Sequence, residues 1–316
     1  MPASPVTGLH HVTAIAGPAQ RHLDFYAGRL GLRLVKRTVN FDDPQVYHLY
    51  YGDGAARPGS LMTAFPWERA HPGRAGGGQA VATAYAVPPG AIAGWLDRLA
   101  AGGFDAFDAP AERFGERVLA LGDPDGLVLE LVEDVRAEGG WHEGPIPQAL
   151  ALTSFHRVTL SSLRPEATVR LLTDLFGYAE AGEEGGRLRL VNEAAERARY
   201  LEVLTAPGAP DGRMGAGVVH HVAFRVPTDE AHEALRDALQ RRGFAPTPVI
   251  DRQYFRSVYF REPGGVLFEV ATDPPGMAID EPADALGERL MLPPQYEPRR
   301  TAIEARLPVL RRPAAA

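Results

Sequence analysis

Two pairs of adjacent histidines and one glutamate are the residues of this chain best suited to chemistry. His10-His11 stands in Gly-Leu-His-His-Val-Thr near the start, and His220-His221 stands in Val-Val-His-His-Val-Ala far along the chain. Glu269 lies in Gly-Gly-Val-Leu-Phe-Glu-Val. Two imidazoles and one carboxylate form a ligand set that holds a divalent transition metal and leaves positions open for reactants. The chain contains no cysteine, so any metal must be held by nitrogen and oxygen, and disulfides are excluded.

Side chains alternate across a strand, and this decides which histidine of each pair faces a site. His221, Ala223 and Arg225 share one face, while His220, Val222, Phe224 and Val226 share an apolar face that belongs under a helix. The same test separates His11, Thr13 and Ile15 from His10, Val12 and Ala14. In the last strand it separates Leu267, Glu269 and Ala271 from Val266, Phe268 and Val270. Alternation thus selects His11, His221 and Glu269 as the metal set. His10 and His220 are turned away, unless a bulge brings them round; otherwise they are satisfied core groups. Thr13, two residues from His11 on the same face, is placed to contact a substrate. Tyr259 shares a face with Ser257 and Arg261 and is the best candidate to hydrogen-bond an oxygen at the metal.

These residues stand at equivalent places in a unit that recurs four times, each copy a strand, an amphipathic helix and further strands. Unit one has strands at Leu9–Ile15, Arg33–Phe41, Gln45–Tyr51 and Ser60–Phe65, with a helix over Ala19–Arg29 stopped by Gly31. Unit two runs from a strand at Gln79–Val87 through helix Ala91–Ala101, stopped by Gly102-Gly103, to strands at Arg117–Leu121 and Leu127–Glu133. Unit three has a strand at His156–Ser161, helix Glu166–Leu175 and a strand at Tyr200–Leu204. Unit four has a strand at His220–Val226, helix Asp229–Arg241, and strands at Ser257–Arg261 and Val266–Ala271. Gly103-Phe104 and Gly243-Phe244 follow equivalent helices, and Glu130 and Glu269 sit in equivalent final strands. The expected fold is α+β: four βαβββ modules paired into two open β-cups with helices outside. Ligands in units one and four must converge, so those units share a cup and units two and three form the other. Along the chain, residues 1–140 hold modules one and two, 150–273 hold modules three and four, and 274–316 form a Pro-rich tail with a short helix at Arg299–Ala305. That tail would pack across a cup or stabilise a dimer.

In the second cup His156 matches His10, but Arg157 takes the ligand position, so Glu130 is read as a salt-bridge partner for it rather than a second metal ligand. His22, His48, His71, His142 and His232 have no counterparts in the other units and read as structural or solvent-facing. The loop over 66–78 either covers the cup mouth or is a surface loop. A net charge of −7 and a pI near 5.8 argue against a general nucleic-acid binder. No apolar run reaches the roughly 20 residues of a membrane span, and no secretory signal is visible, so a cytoplasmic location is the default.

Leu9-His10-His11-Val12-Thr13, Tyr47-His48-Leu49-Tyr50-Tyr51, His220-His221-Val222-Ala223-Phe224 and Pro263-Gly264-Gly265-Val266-Leu267-Phe268-Glu269 occur together and in order. With Val35-Lys36-Arg37-Thr38, Phe65-Pro66 and Leu292-Pro293-Pro294-Gln295-Tyr296-Glu297, they resemble the vicinal oxygen chelate superfamily of glyoxalases, fosfomycin-resistance proteins and extradiol dioxygenases. They are most similar to its four-module ring-cleaving dioxygenases of hydroquinones. The resemblance covers nearly the whole chain. It implies a non-haem Fe(II) enzyme, with Mn(II) as an alternative ion, that opens a hydroquinone or catechol ring with O2 in the extradiol manner. It also implies metal ligands at His11, His221 and Glu269, supporting roles for His10 and His220, and pairing of Arg252 with an anionic substrate. The implied partners are a small aromatic compound and O2, with self-association left open. The rival is a glyoxalase-type isomerase or thiol transferase without oxygen chemistry. Isomerases of that kind draw a further carboxylate from the partner unit's last strand, and Ser60–Ala64 offers none. A binding protein without activity would lack the triad.

Overall fold

The computed structural model describes residues 4–102, 106–205 and 210–313; Gly103 and Phe104 lie outside them. Unit one contributes β1 (Leu9–Ala16), α1 (Ala19–Leu23), β2 (Arg33–Val39), β3 (Tyr47–Gly52) and β4 (Leu61–Pro66). Unit two contributes β5 (Gln79–Val87), α2 (Ala91–Gly102), β6 (Ala111–Arg113), β7 (Glu116–Gly122) and β8 (Val128–Glu133). Unit three contributes β9 (Phe155–Ser161), α3 (Pro165–Asp174), β10 (Ala179–Glu184), β11 (Arg187–Val191) and β12 (Tyr200–Leu204). Unit four contributes β13 (Val218–Val226), α4 (Asp229–Arg241), β14 (Ile250–Asp251), β15 (Arg256–Arg261) and β16 (Leu267–Thr272). The tail carries α5 (Arg300–Glu304).

Two curled eight-stranded sheets result, ordered β14-β15-β16-β13-β1-β4-β3-β2 and β10-β11-β12-β9-β5-β8-β7-β6. Units one and four share the first sheet, and units two and three share the second. Each cup closes around an antiparallel pair of first strands, β1 with β13 and β5 with β9. Parallel neighbours flank them, as β4 flanks β1 and β16 flanks β13. The period of two sorts the faces. Val12, Leu49, Met62, Val222, Phe224, Phe268 and Val270 go to the main apolar core. The polar and aromatic residues between them go to the concave side. α4 seals its sheet through Leu235 and Leu239, and the His232 ring nitrogen bonds the Val270 carbonyl at 3.0 Å. His232 is therefore structural.

Three differences from the sequence reading have local causes. The helix of unit one is α-helical only over Ala19–Leu23 and continues as a π-helical turn over Asp24–Arg29. β10 is exposed along its whole length and pairs with β11 in a hairpin, so no apolar alternation marks it. The loop at 66–78 is tied down: Gly73 and Arg74 donate to the carbonyls of Ala216 and Arg213, both at 2.8 Å. Gly217, with φ near +84°, follows that contact, and a Cβ there would sit 2.0 Å from the Asp125 carbonyl oxygen. The tail docks on unit one. Buried Lys36 bonds Asp280 at 2.6 Å and Glu281 at 2.5 Å, and Leu292, Ile303 and Leu307 are buried.

Candidate metal centre and active site

β1, β13 and β16 are neighbours, and this adjacency brings His11, His221 and Glu269 together. The ring atoms His11 Nε2 and His221 Nε2 stand 3.2 Å apart. Glu269 Oε2 is 3.3 Å from the first and 2.9 Å from the second. Ligands about 2.1 Å from a small divalent ion and at right angles to one another stand about 3 Å apart, so the three atoms fit one face of such an ion. All three side chains are buried. Burial alone would raise the Glu269 pKa, but the two histidines overcome it and hold the carboxyl well below its ordinary value. Burial pushes His221 the other way, toward the neutral ring. An ionised carboxylate is thus buried beside two histidine ring nitrogens, and Glu269 Oε2 has no hydrogen-bond donor. The donor set therefore fits a divalent cation.

The remaining atoms of the ligands are held by neighbours. Ser257, on β15, donates its hydroxyl to Glu269 Oε1, which leaves Oε2 for the ion. His10 Nδ1 meets His11 Nδ1 at 2.9 Å, and His220 Nδ1 meets His221 Nδ1 at 2.7 Å. These contacts are possible because both pairs lie at β-bulges. The register steps from Leu9↔Phe224 to His11↔Ala223, so His10 is the extra residue on β1. It steps from Thr13↔His221 to Ala14↔Val219, so His220 is the extra residue on β13. A bulge re-aims the inserted side chain, and each histidine thereby orients the one that follows, as outer partners of metal-binding histidines do. Burial lowers His10 well below the usual histidine value and, with His221, lowers His220 to about 3, so both rings are neutral.

A cavity of about 490 Å³ opens onto His11 and His221, within the size range of small-molecule sites. Phe41, Tyr50, Phe65, Trp67, Ile250, Tyr259 and Leu267 give it an aromatic and aliphatic wall. Tyr259 sits opposite Glu269 in the β15–β16 register, with its ring 5.5 Å from that of His221. Burial, then the charge of Glu269, pushes its phenol upward, so it remains a donor. Arg252 lines the same wall, with its guanidinium 5.4 Å from the Tyr259 ring centre and 3.3 Å from Asp42. Thr13 is fully buried, and its hydroxyl is bonded to Thr63 at 2.7 Å; it lies behind the cavity wall.

His48 is not a surface residue. It lines the cavity, its ring tilted against that of Phe65 with centroids 4.3 Å apart, and bonds Tyr50 and Thr63. The signal was present in Tyr47-His48-Leu49-Tyr50-Tyr51, where alternation sets His48 and Tyr50 on one face. No other unit repeats this residue, so the internal repeat does not mark it. Trp67 and Asn40 also line the cavity without having been singled out. Among the described residues, no further carboxylate joins the triad.

The second cup has a guanidinium where the first has its ligand set. Arg157 is fully buried, 2.7 Å from Glu130 and 3.1 Å from Glu202, with Arg189 2.8 Å from Glu202. The bulges recur there at Val81 and His156.

Comparison with known proteins agrees with this geometry. The model of the Glyoxalase/Bleomycin resistance protein/Dioxygenase superfamily matches residues 8–131 and 154–270. The chain is 45% identical over 306 residues to "Putative ring-cleaving dioxygenase MhqO" of Bacillus subtilis, with 96% of each chain covered. It is 34% identical to the "Chlorohydroquinone/hydroquinone 1,2-dioxygenase" of Sphingobium indicum, covering 92% of this chain and 93% of that one. A Bacillus subtilis crystal structure, likewise named for a dioxygenase, superposes with a TM-score of 0.94 at 44% identity, covering 98% of this chain and 99% of that one. Glyoxalase I from Zea mays shares the fold alone, with a TM-score of 0.62 at 16% identity, covering 84% of this chain and 92% of that one. The chain thus belongs to the glyoxalase, bleomycin resistance protein and dioxygenase superfamily, and within it to the ring-cleaving dioxygenases.

Proposed function

We propose that the cavity takes a hydroquinone or a catechol, and that the ring is opened by dioxygen beside a hydroxylated carbon, with Fe(II) or Mn(II) held by His11, His221 and Glu269. The observation that carries this reading is three buried side-chain atoms of His11, His221 and Glu269, 2.9 to 3.3 Å apart, with the two histidines lining a cavity rich in aromatic side chains. The name of the Sphingobium relative supports the hydroquinone class. When bound, such an ion supplies a Lewis acid and a one-electron couple, which dioxygen needs to react with an aromatic ring.

The chain's own groups do the rest. Phe41, Phe65 and Trp67 pack a ring in place and exclude water, which converts an encounter of two reactants into a positioned one. Tyr259 presents a phenolic proton beside Glu269, where charge on an incoming oxygen develops, and Arg252 adds a positive charge on that wall. His10 and His220 fix the rings of the two ligand histidines. An isomerase of the glyoxalase type would want a fourth ligand, a second carboxylate, and β4 brings only Leu61, Thr63 and Phe65 to the cup face.

The test is oxygen uptake by anaerobically purified, Fe(II)-loaded protein offered methylhydroquinone. Uptake of one O2 per ring, lost in His221→Ala, is expected. Metal-loaded protein that consumes no oxygen with hydroquinones or catechols would overturn the reading.

A further inference from the structure

We propose that Tyr50 is a hydrogen-bond donor to an anionic oxygen of the bound aromatic substrate, aimed by a one-way chain of groups that begins at Thr13. The substrate half of this proposal rests on the function given above; the direction of the chain does not.

Four groups are joined in line. Thr13 Oγ1 meets Thr63 Oγ1 at 2.7 Å, Thr63 Oγ1 meets His48 Nε2 at 2.9 Å, and His48 Nδ1 meets the Tyr50 hydroxyl at 2.9 Å. Hydroxyls and a neutral imidazole can each donate one proton and accept another, so each link taken alone could run either way. The two ends are different, and they decide. Thr13 is fully buried, and among the described residues its hydroxyl has Thr63 as its single hydrogen-bond partner. Running the chain from Tyr50 toward Thr13 would strand the Thr13 proton with no acceptor, and a buried donor without a partner is costly. In the opposite direction every buried proton finds a lone pair. Thr13 donates to Thr63, Thr63 to His48 Nε2, and His48 Nδ1–H to the Tyr50 oxygen. The surplus proton is then that of Tyr50, which lines the cavity.

Two further features fit. Burial raises Tyr50 well above the usual phenol value and lowers His48 well below the usual imidazole value, so the chain consists of neutral groups throughout. Tyr50 comes from β3 and Tyr259 from β15, toward opposite ends of the sheet, and both line the same cavity. A ring lying between them would thus meet a phenolic donor from each side.

The direction requires His48 to carry its proton on Nδ1, the tautomer that free histidine adopts less often, and nitrogen NMR distinguishes the two. Zn(II)-loaded protein carrying 15N-histidine would be recorded, and the His48 signals identified by their loss in His48→Gln. A protonated Nδ1 and a bare Nε2 are expected, with the proton moving toward Nε2 in Thr63→Val and returning to Nδ1 in Thr63→Ser. Calorimetric titration of the same zinc form with methylhydroquinone should show affinity falling roughly tenfold in Tyr50→Phe, the loss of one hydrogen bond to a charged oxygen. A His48 proton on Nε2 in the unmodified protein would overturn the chain, and so the proposal. Unchanged affinity in Tyr50→Phe would overturn its substrate half. Unmodified protein that binds no hydroquinone while His48 is protonated on Nδ1 would count against the proposed function and leave the chain's direction standing.

Discussion

Ser257 is where the two oxygens of Glu269 part company. One oxygen accepts the serine hydroxyl, and the other faces the two imidazoles without a donor. Removing the hydroxyl should let the carboxylate rotate while keeping its charge. We therefore expect Ser257→Ala to bind Fe(II) about tenfold more weakly, the lower end of the range for partners that orient metal ligands. Glu269→Gln, which removes the charge, should bind little metal at all. Competition with a coloured chelator reads both, and equal affinity in Ser257→Ala and the parent would show that the hydroxyl does not orient the carboxylate. The triad itself was legible because alternation puts His11, His221 and Glu269 on one face. The supporting residues were less so. Ser257 shares a face with Tyr259 but carries no mark of its own in the sequence, and His48 has no counterpart in the other units. A residue unique to one unit is what a functional cup needs and what a search by repetition passes over.

At the scale of elements, the bulges explain why simple alternation turned His10 and His220 away from the site while the fold brings them to it. A bulge adds a residue without changing composition or period elsewhere, so nothing in a run such as Leu-His-His-Val marks it. The β10–β11 hairpin was invisible for a different reason: its outer strand buries nothing, and burial is what writes a pattern into sequence. Asp123, in the Asp-Pro-Asp-Gly turn, accepts the N–H groups of Asp125 and Leu127 at 2.9 and 2.8 Å and the Tyr26 hydroxyl at 3.2 Å. Burial raises its carboxyl to about 6, against about 3.9 in an unfolded chain. Between these values the folded protein holds a proton that the unfolded chain has released. Stability contributed by this group is therefore greatest below pH 4, falls as pH rises toward 6, and is level above that. Asp123→Asn keeps the two N–H bonds and removes the titration. Urea midpoints measured at pH 4.5 and pH 7 should show the parent losing about 2 kcal/mol more than the variant across that interval. Parallel pH profiles would refute the assignment.

For the whole molecule, the pairing of units one with four and two with three followed from the need to converge three ligands, before any packing was known. What sequence alone did not give is how the tail fastens this arrangement, since the partners of Lys36 lie far along the chain at Asp280 and Glu281. No helix among the described residues is long and apolar enough to cross a membrane. The two cups make separable predictions. Arg157→Met should leave buried Glu130 and Glu202 without their central cation, cost about 3–5 kcal/mol, and lower the melting temperature by several degrees with metal content unchanged. Metal at about 100 times its Kd should instead stabilise the parent by about 2.7 kcal/mol and leave His221→Ala unmoved. Scanning calorimetry with and without Fe(II) under anaerobic conditions compares the four cases.

The guanidinium of Arg157 also bears on how the protein is made. It is synthesised with the chain, so the cup around it is complete as soon as it folds. Its twin, on the proposed reading, depends on a metal ion that the cell must import. The amount of chain and the amount of working enzyme are then independent quantities, the first set by expression and the second, on the proposed reading, by the supply of the metal. Cells short of that ion would hold a full complement of folded, silent molecules, each restored by a single binding event without new synthesis.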